Sequence, residues 1–476
     1  MGMRAWMPVL MLAATTSAAG CATNPVTGRT ELALISEGQE IAMGQEAAAQ
    51  VESSVGLVDD AALNEYVQRI GERMAQASER PELPWRFRVL DDPTPNAFAL
   101  PGGFIYVTRG LLSLMNSEAE LASVLGHEIG HVTARHSVQQ ISRAQLGQLG
   151  LVLGMIFVPD LAQFGELAGQ GLGLLFLKYG RDAERQADDL GFGYALRSGY
   201  DVREMPDVFA ALARASELEG RSPLPSWLST HPNPEERIER INAALAESAV
   251  AWDATQLGAD AFFRRIDGMV YGENPRNGFF RGTTFLHPDM RFQLTFPTGF
   301  RLQNLTAAVQ AVSERQDAAI QLTLAAGSAE EAARAFASQQ GLATGNATRE
   351  TINGFNSVIV PFEAQTEGGN VAGYAAFIQD GQRTFQLIAY SAARSIRGYD
   401  QAFRAMIGSF SRLTDPDALN VVPRRIESVE LSQPMTFAQF LQRNAMPIPA
   451  NEAALINQVV NTGVRLPAGA WLKRVE

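Results

Sequence analysis

His127-Glu128-Ile129-Gly130-His131 is the stretch on which the reading of this chain turns. It is an H-E-x-x-H run. Two histidines four apart on a helix point the same way, so both rings can reach one zinc ion. Glu128, beside the first ring, is then placed to act as general base on zinc-bound water. Imidazole suits zinc, and three protein ligands plus a water are the arrangement of a hydrolytic site. The flanking sequence predicts the required helix. Ser117 is a good N-cap with Glu120 in capping-box register, and Ala119, Leu121, Ala122, Val124, Leu125, Ile129 and Val132 make the helix strongly apolar. Gly126 and Gly130 cost helix propensity, roughly 1 kcal/mol each against Ala. Such glycines fit where another backbone or a metal site packs close. His136 follows His131 by five residues, about 140° further around the helix. It is a poor third ligand and reads as a surface or core histidine.

The third ligand has to come from elsewhere, and Tyr179-Gly180-Arg181-Asp182-Ala183-Glu184-Arg185-Gln186-Ala187-Asp188 offers it. Glu184 and Asp188 are four apart, on one helix face. In this reading Glu184 binds zinc, and Asp188 accepts the free ring N–H of a ligating histidine and fixes its tautomer. By itself the segment would read as a charged, solvated helix face. Following an H-E-x-x-H run by some fifty residues, it reads as the rest of the metal site.

With these two segments in place, the chain resembles the HtpX / CAAX-prenyl-endopeptidase family of zinc metalloproteases. These are gluzincins, in which two histidines of one helix and a glutamate of a later helix bind zinc. Asn96-Ala97-Phe98-Ala99-Leu100-Pro101-Gly102-Gly103, running into Phe104-Ile105-Tyr106-Val107, looks like the strand that precedes the zinc helix in that family. The resemblance implies an edge strand beside the cleft, to which a peptide substrate adds by main-chain hydrogen bonds, with Asn96, Ala97 and Phe98 as substrate contacts. Thr230-His231-Pro232-Asn233-Pro234-Glu235-Glu236-Arg237-Ile238 looks like the family's later His-Pro…Arg-Ile segment. Three roles compete for His231: donor to the oxyanion of the tetrahedral intermediate, fourth zinc ligand displacing the catalytic water at rest, or helix-entry residue without chemistry. The likeness covers about residues 22 to 245 and puts His231 near zinc.

The first twenty residues carry one early Arg4, a short apolar run and then small residues, the pattern of a secretory signal peptide. Ala18-Ala19-Gly20-Cys21 resembles a bacterial lipobox, with cleavage before Cys21 and lipidation of its thiol. Cys21 is the only cysteine, so no internal disulfide can form. Ala22 is not the Asp associated with inner-membrane retention, which points to the outer membrane and a periplasmic enzyme. Asn24-Pro25-Val26-Thr27-Gly28 reads as a turn-rich tether. A net charge of −12 and the lack of a basic patch with interleaved aromatics argue against nucleic acid.

A chain of 476 residues is expected to hold two or three domains. The expected class is α+β. Residues 1–20 are the signal peptide. Residues 21–255 form a mostly helical zincin-type metalloprotease domain with a small edge sheet, lipidated at its start. Residues 275–415 form an α+β sandwich and 424–476 a small LysM-like module. The apolar, Gly-rich stretch from Leu151 to Leu177 is too short to span a bilayer before Pro159 and Asp160 interrupt it. It reads as buried helical core, with a mobile or membrane-contacting element over the cleft as the alternative.

In the sandwich, Phe292–Phe296, Ala319–Leu324, Phe355–Phe362, Tyr374–Ile378 and Thr384–Tyr390 are expected strands. Asp380-Gly381 is an expected hairpin turn, Ser328 caps an expected helix to about Gln340, and Tyr399–Phe410 forms another. The module faintly resembles PsbP/Mog-type domains. In the tail, Arg425–Val429, Thr436–Phe440, Leu455–Asn457 and Leu466–Lys473 fall in the order strand, helix, helix, strand. That order and the N…L-x-x-G-x-x-L-K ending resemble a divergent LysM domain, which implies peptidoglycan as a partner; Gln433-Pro434-Met435-Thr436 departs from the usual Gly-Asp-Thr entry. The expected activity is zinc-dependent cleavage of unfolded or misassembled envelope proteins. The alternative is an envelope lipoprotein acting as chaperone or binding scaffold, its zinc site structural or capped.

Overall fold

The computed structural model describes residues 21–150, 178–216, 227–305, 308–366 and 369–476. The apolar stretch from Leu151 to Leu177 lies outside them. No helix among the described residues is long and apolar enough to cross a membrane.

The described residues start with a hairpin, β1 (Cys21–Thr23) paired antiparallel to β2 (Thr30–Leu32). The turn between them is not the loose tether its composition suggests. The Asn24 side chain is buried, accepts from the N–H groups of Val26 and Thr27, and donates to the Ala134 carbonyl. An Asx turn therefore docks this segment on the protein body.

Helices α1 (Glu37–Val55) and α2 (Ala61–Ala75) follow, opened by Ser36 and Asp60 caps. Next comes a three-stranded sheet of β3 (Arg86–Leu90), β4 (Ala97–Leu100) and β5 (Phe104–Thr108), in the order β3-β5-β4. The single edge strand expected from Asn96 through Val107 is thus two strands, and its Phe104–Val107 part is not at the edge. Gly102 and Gly103, at φ +78° and +100°, turn the chain back after Pro101. This leaves β4 at the edge and puts Phe104–Val107 in the centre, pairing with β4 antiparallel and with β3 parallel.

Helix α3 (Arg109–Leu114) leads directly into α4 (Glu118–Thr133), which carries the H-E-x-x-H run. Ser117 caps α4 by accepting the Glu120 N–H. The reciprocal half of the expected capping box is absent, because Glu120 accepts the Asn116 N–H instead. Every residue of α4 from Ala119 to Thr133 is buried. Its polar side chains therefore need internal partners. Then come α5 (His136–Gly150), α6 (Arg181–Arg197), α7 (Met205–Ser216), α8 (Trp227–Thr230), α9 (Pro234–Glu247) and α10 (Ala259–Ile266).

Glycines set the distance between α4 and α6. A Cβ on Gly126 would lie 2.8 Å from the Gly191 carbonyl oxygen, one on Gly130 3.0 Å from that of Ala187, and one on Gly191 2.6 Å from the His127 nitrogen. The two helices touch backbone to backbone, which is what their lost helix propensity made possible.

The later residues form an eight-stranded and a four-stranded antiparallel sheet that share one apolar core. The larger has strands 300–304, 309–313, 318–325, 342–344, 348–352, 355–366, 369–380 and 383–392. Helix Ala329–Ala337 covers one face through Ala332, Ala333 and Phe336; helix Ile396–Ser409 covers the other through Phe403, Met406 and Ile407. The expected strands and both helices are present, and Asp380-Gly381 does turn a hairpin, with Asp380 opposite Arg383.

The tail runs strand Ile426–Glu430, helix Phe437–Arg443, helix Ala450–Ile456 and strand Trp471–Val475, with the outer strands antiparallel. Its Phe437, Phe440, Ile456, Leu472 and Val475 join the same apolar core as α2, α4 and α7.

Candidate metal centre

Helix α4 delivers His127, Glu128 and His131, α6 delivers Glu184 and Asp188, and the α8–α9 turn delivers His231. All six are at most 1% exposed. His127 Nε2 lies 3.0 Å from His131 Nε2 and 3.2 Å from His231 Nδ1. The Glu184 carboxylate lies 3.1 Å from His231 Nδ1, 3.7 Å from His127 Nε2 and 3.6 Å from His131 Nε2. A tetrahedral zinc with bonds of about 2.0–2.1 Å separates its ligands by about 3.3–3.4 Å. The observed edges bracket that value, so two imidazole nitrogens, one carboxylate oxygen and a third imidazole nitrogen fit one ion.

The neighbours of each donor set its protonation. Burial and the rings of His127, His136 and His231 push His131 well below its ordinary pKa, so its ligating nitrogen stays unprotonated. For His231, burial is outweighed by the Glu184 and Glu128 carboxylates, which draw its pKa up. Burial would raise Glu184, but His231, His127 and Arg237 hold it low.

Behind the donors lies a second set of contacts. The Asp188 carboxylate stands 2.9 Å from His127 Nδ1 and takes its N–H, leaving Nε2 for a metal. Burial alone would raise Asp188; Arg237 and His127 hold it far below the usual carboxylate range. His136 is a core residue, and it does what its spacing hid. Its Nδ1 lies 2.9 Å from His131 Nδ1, and its Nε2 lies 3.0 Å from Gln186 Oε1. With His136 Nε2–H donating to Gln186, its Nδ1 accepts from His131, which again leaves Nε2 free. Tyr179 stacks on the His131 ring at 3.9 Å, its hydroxyl bonded to Ser137.

Arg237 received no role from sequence, although it stands in the quoted His-Pro…Arg-Ile segment. It donates twice to Asp188, at 2.9 and 2.6 Å, and sits 3.0 Å from Glu184. Its guanidinium lies over the rings of both Phe209 and Trp227, 4.4 and 4.6 Å from their centroids. The six-residue spacing from His231 was the available signal: it places Arg237 one turn inside α9, facing the same pocket.

Glu128 differs from its neighbours. Neither buried carboxylate oxygen accepts a hydrogen bond. His231 Nε2 stands 3.6 Å from Oε1, beyond hydrogen-bond distance. Asn96, Ala97 and Phe98 are buried at the start of edge strand β4, which packs beside α4. Cys21 is in β1, at the hairpin that docks on the Ala134 carbonyl just past α4.

The family model for peptidase family M48 matches residues 61–245 of this chain. The beta-barrel assembly-enhancing protease of Yersinia pestis is 33% identical over 224 residues, 45% of this chain and 45% of that protein. The mitochondrial metalloendopeptidase OMA1 of Schizosaccharomyces pombe is 32% identical over 235 residues, 48% of this chain and 67% of that one. The chain thus spans about half the length of the bacterial relative it matches. Cyanobacterial PsbP from Synechocystis sp. PCC 6803 overlaps 27% of this chain at 12% identity with a TM-score of 0.24, too low to establish a shared fold.

Proposed function

Because this chain belongs to peptidase family M48, we propose that it is a zinc-dependent metalloendopeptidase that hydrolyses peptide bonds of misfolded or misassembled cell-envelope proteins. The observation that carries this reading is the buried His127–His131–Glu184–His231 donor set with an unbonded carboxylate, Glu128, beside it. Zinc, when bound, supplies Lewis-acid polarisation of a carbonyl and lowers the pKa of a water. Glu128 then takes the proton of the attacking water and returns it to the departing amine. Its lack of any other hydrogen bond leaves both oxygens available for this. Asp188 keeps His127 in the ligating tautomer and is itself held by Arg237.

His231 completes a four-donor shell with Nδ1 among the ligand atoms. That geometry supports the capped resting state among its three roles: His231 must withdraw before water and substrate can share the site. Strand β4 is the proposed docking edge, with Asn96, Ala97 and Phe98 at its entry, because its outer side has no paired strand among the described residues.

The envelope assignment is supported by the signal-peptide pattern of residues 1–20 and the lipobox-like Ala18–Cys21, which propose a lipid anchor at Cys21 on the periplasmic face of the outer membrane. The name of the Yersinia relative, a beta-barrel assembly-enhancing protease, agrees with that substrate class. Peptidoglycan is the partner proposed for the tail, on its strand-helix-helix-strand order.

The test is cleavage of an unfolded outer-membrane protein by the purified chain. Wild type should cleave it. Glu128→Gln should bind zinc and cleave at least about a thousandfold more slowly, the scale on which removing one essential catalytic group acts. His127→Ala should lose both zinc and cleavage. Cleavage by Glu128→Gln at the wild-type rate would overturn the mechanism. Zinc bound stoichiometrically with no cleavage by wild type or by His231→Ala would favour a scaffold.

A further inference from the structure

The tail motif that resembles a LysM ending has another use in this fold. Lys473, on the strand Trp471–Val475, has no exposed surface. Its ammonium donates to the carbonyls of Ser113, at 2.7 Å, and Met115, at 2.6 Å. These two carbonyls close the C-terminal end of α3, where the helix dipole is negative and unpaired carbonyls collect. Gln458 donates to the Leu114 carbonyl at 2.9 Å and to the Glu120 carboxylate at 2.8 Å. Glu120 in turn accepts the Asn116 N–H. The tail therefore makes four hydrogen bonds to the turn 113–120, the turn that starts α4.

Asn457 holds this arrangement from behind. Its amide donates to the Lys473 carbonyl and its oxygen accepts the Lys473 N–H, at 3.0 and 2.7 Å. Burial pushes Lys473 down and Glu120 up, and each charge partly offsets the other's shift. A lysine so deeply desolvated is retained only where its donors have fixed acceptors. Both Asn457 and Lys473 belong to the motif that suggested glycan binding, and both are spent on contacts within the molecule.

We propose that Lys473, with Gln458, is a positioning residue of the metal centre: the tail module clamps the α3–α4 turn and so sets where α4 presents His127, Glu128 and His131. This rests on the metalloprotease reading for its catalytic consequence, but not for its metal-binding one. Helix α4 is buried along its length, and its His127 backbone touches α6 at Gly191. A shift of its first turn is therefore carried to the ligands as a rigid-body displacement. A misplacement of about 1 Å is enough to cost catalysis heavily.

The experiment compares the zinc-loaded full chain with Lys473→Met, which keeps the length of the side chain and removes its donors. Zinc loss to excess chelator is followed alongside kcat and KM. A control, Tyr271→Phe, breaks the Tyr271–Glu452 hydrogen bond of the same module away from the turn. We expect Lys473→Met to lose zinc about tenfold faster and to lower kcat about tenfold with KM within about twofold, the scale reported for groups that orient ligands. Tyr271→Phe should lower the melting temperature without changing zinc loss. A folded Lys473→Met with wild-type zinc loss and kcat overturns the proposal. If Lys473→Met does not fold, Gln458→Leu replaces it, with a smaller effect expected in the same direction, and wild-type zinc loss in that variant overturns it equally. A wild type that holds zinc but cleaves nothing refutes the protease reading, while the zinc-loss comparison still decides this one.

Discussion

Gly191→Ala is the sharpest perturbation of the contact on which the site depends. The added Cβ would stand 2.6 Å from the His127 nitrogen and 2.9 Å from the Gly126 carbonyl carbon, both backbone atoms that cannot swing aside. Ordinary contact between such atoms is ~3.6 Å, so α4 and α6 must separate by about 1 Å. Glu184 rides on α6, two turns earlier. Its 3.6–3.7 Å spacings to the His131 and His127 nitrogens would open past the range a single zinc can bridge. Overpacking of this kind costs about 1–3 kcal/mol, and displaced ligands cost about tenfold or more in metal affinity. Gly193→Ala on the same helix is the control. Its Cβ would meet only the far end of the Arg197 side chain, at 3.1 Å. It should stabilise α6 by up to about 1 kcal/mol through helix propensity. Zinc affinity by chelator competition and thermal melts decide the matter. If Gly191→Ala binds zinc as tightly as wild type and melts no lower, backbone contact between these helices does not set the ligand spacing.

His231→Ala should raise cleavage of an unfolded substrate severalfold if His231 caps the centre; a fall in kcat with zinc retained would instead assign it the oxyanion. Arg237→Met leaves Asp188 and Glu184 buried without their cation, and should destabilise the chain by about 3–5 kcal/mol in urea unfolding; Arg237→Lys should recover little, since it lacks the fork that spans Asp188. In the four-stranded sheet, burial pushes His287 down to about 4. A histidine whose folded pKa lies below its unfolded value of 6.5 is protonated preferentially by the unfolded state. Stability is therefore full above pH 6.5 and is lost as pH falls toward 4, by at most about 3 kcal/mol. His287→Asn should flatten that slope in pH-dependent melts.

Much of the site could be read from spacing alone, because helical periodicity is local. His127 and His131 share a face by their four-residue interval, as do Glu184 and Asp188, and Ser117 announces where α4 begins. Five of the twelve described strands in the two later sheets were legible for the same reason: alternation and an Asp-Gly turn act over a few residues. What spacing could not show lies in contacts between distant segments. His136 is poorly placed for a metal but well placed to hold His131, and only the packing of α6, which brings Gln186, makes that visible. Arg237 acquires its role from Asp188, Phe209 and Trp227, none of them on its own helix. The turn at Asn24 looks like a tether until Ala134 accepts its amide. The stretch 97–107 reads as one strand until two glycines at positive φ fold it in two.

By itself, the sequence determined the chemistry on offer: two imidazoles and a carboxylate base on one helix, a pair of carboxylates on another, and a histidine on a proline-flanked turn. Only the tertiary structure decided that these side chains gather with donor atoms 3.0–3.7 Å apart, that His231 faces the group through Nδ1, and that the tail is part of the core that holds α4. The physical reason is that side-chain spacing along a helix is set by the backbone's own geometry. The approach of two helices is set by what lies between them, and here that is a row of glycines that lets backbone meet backbone.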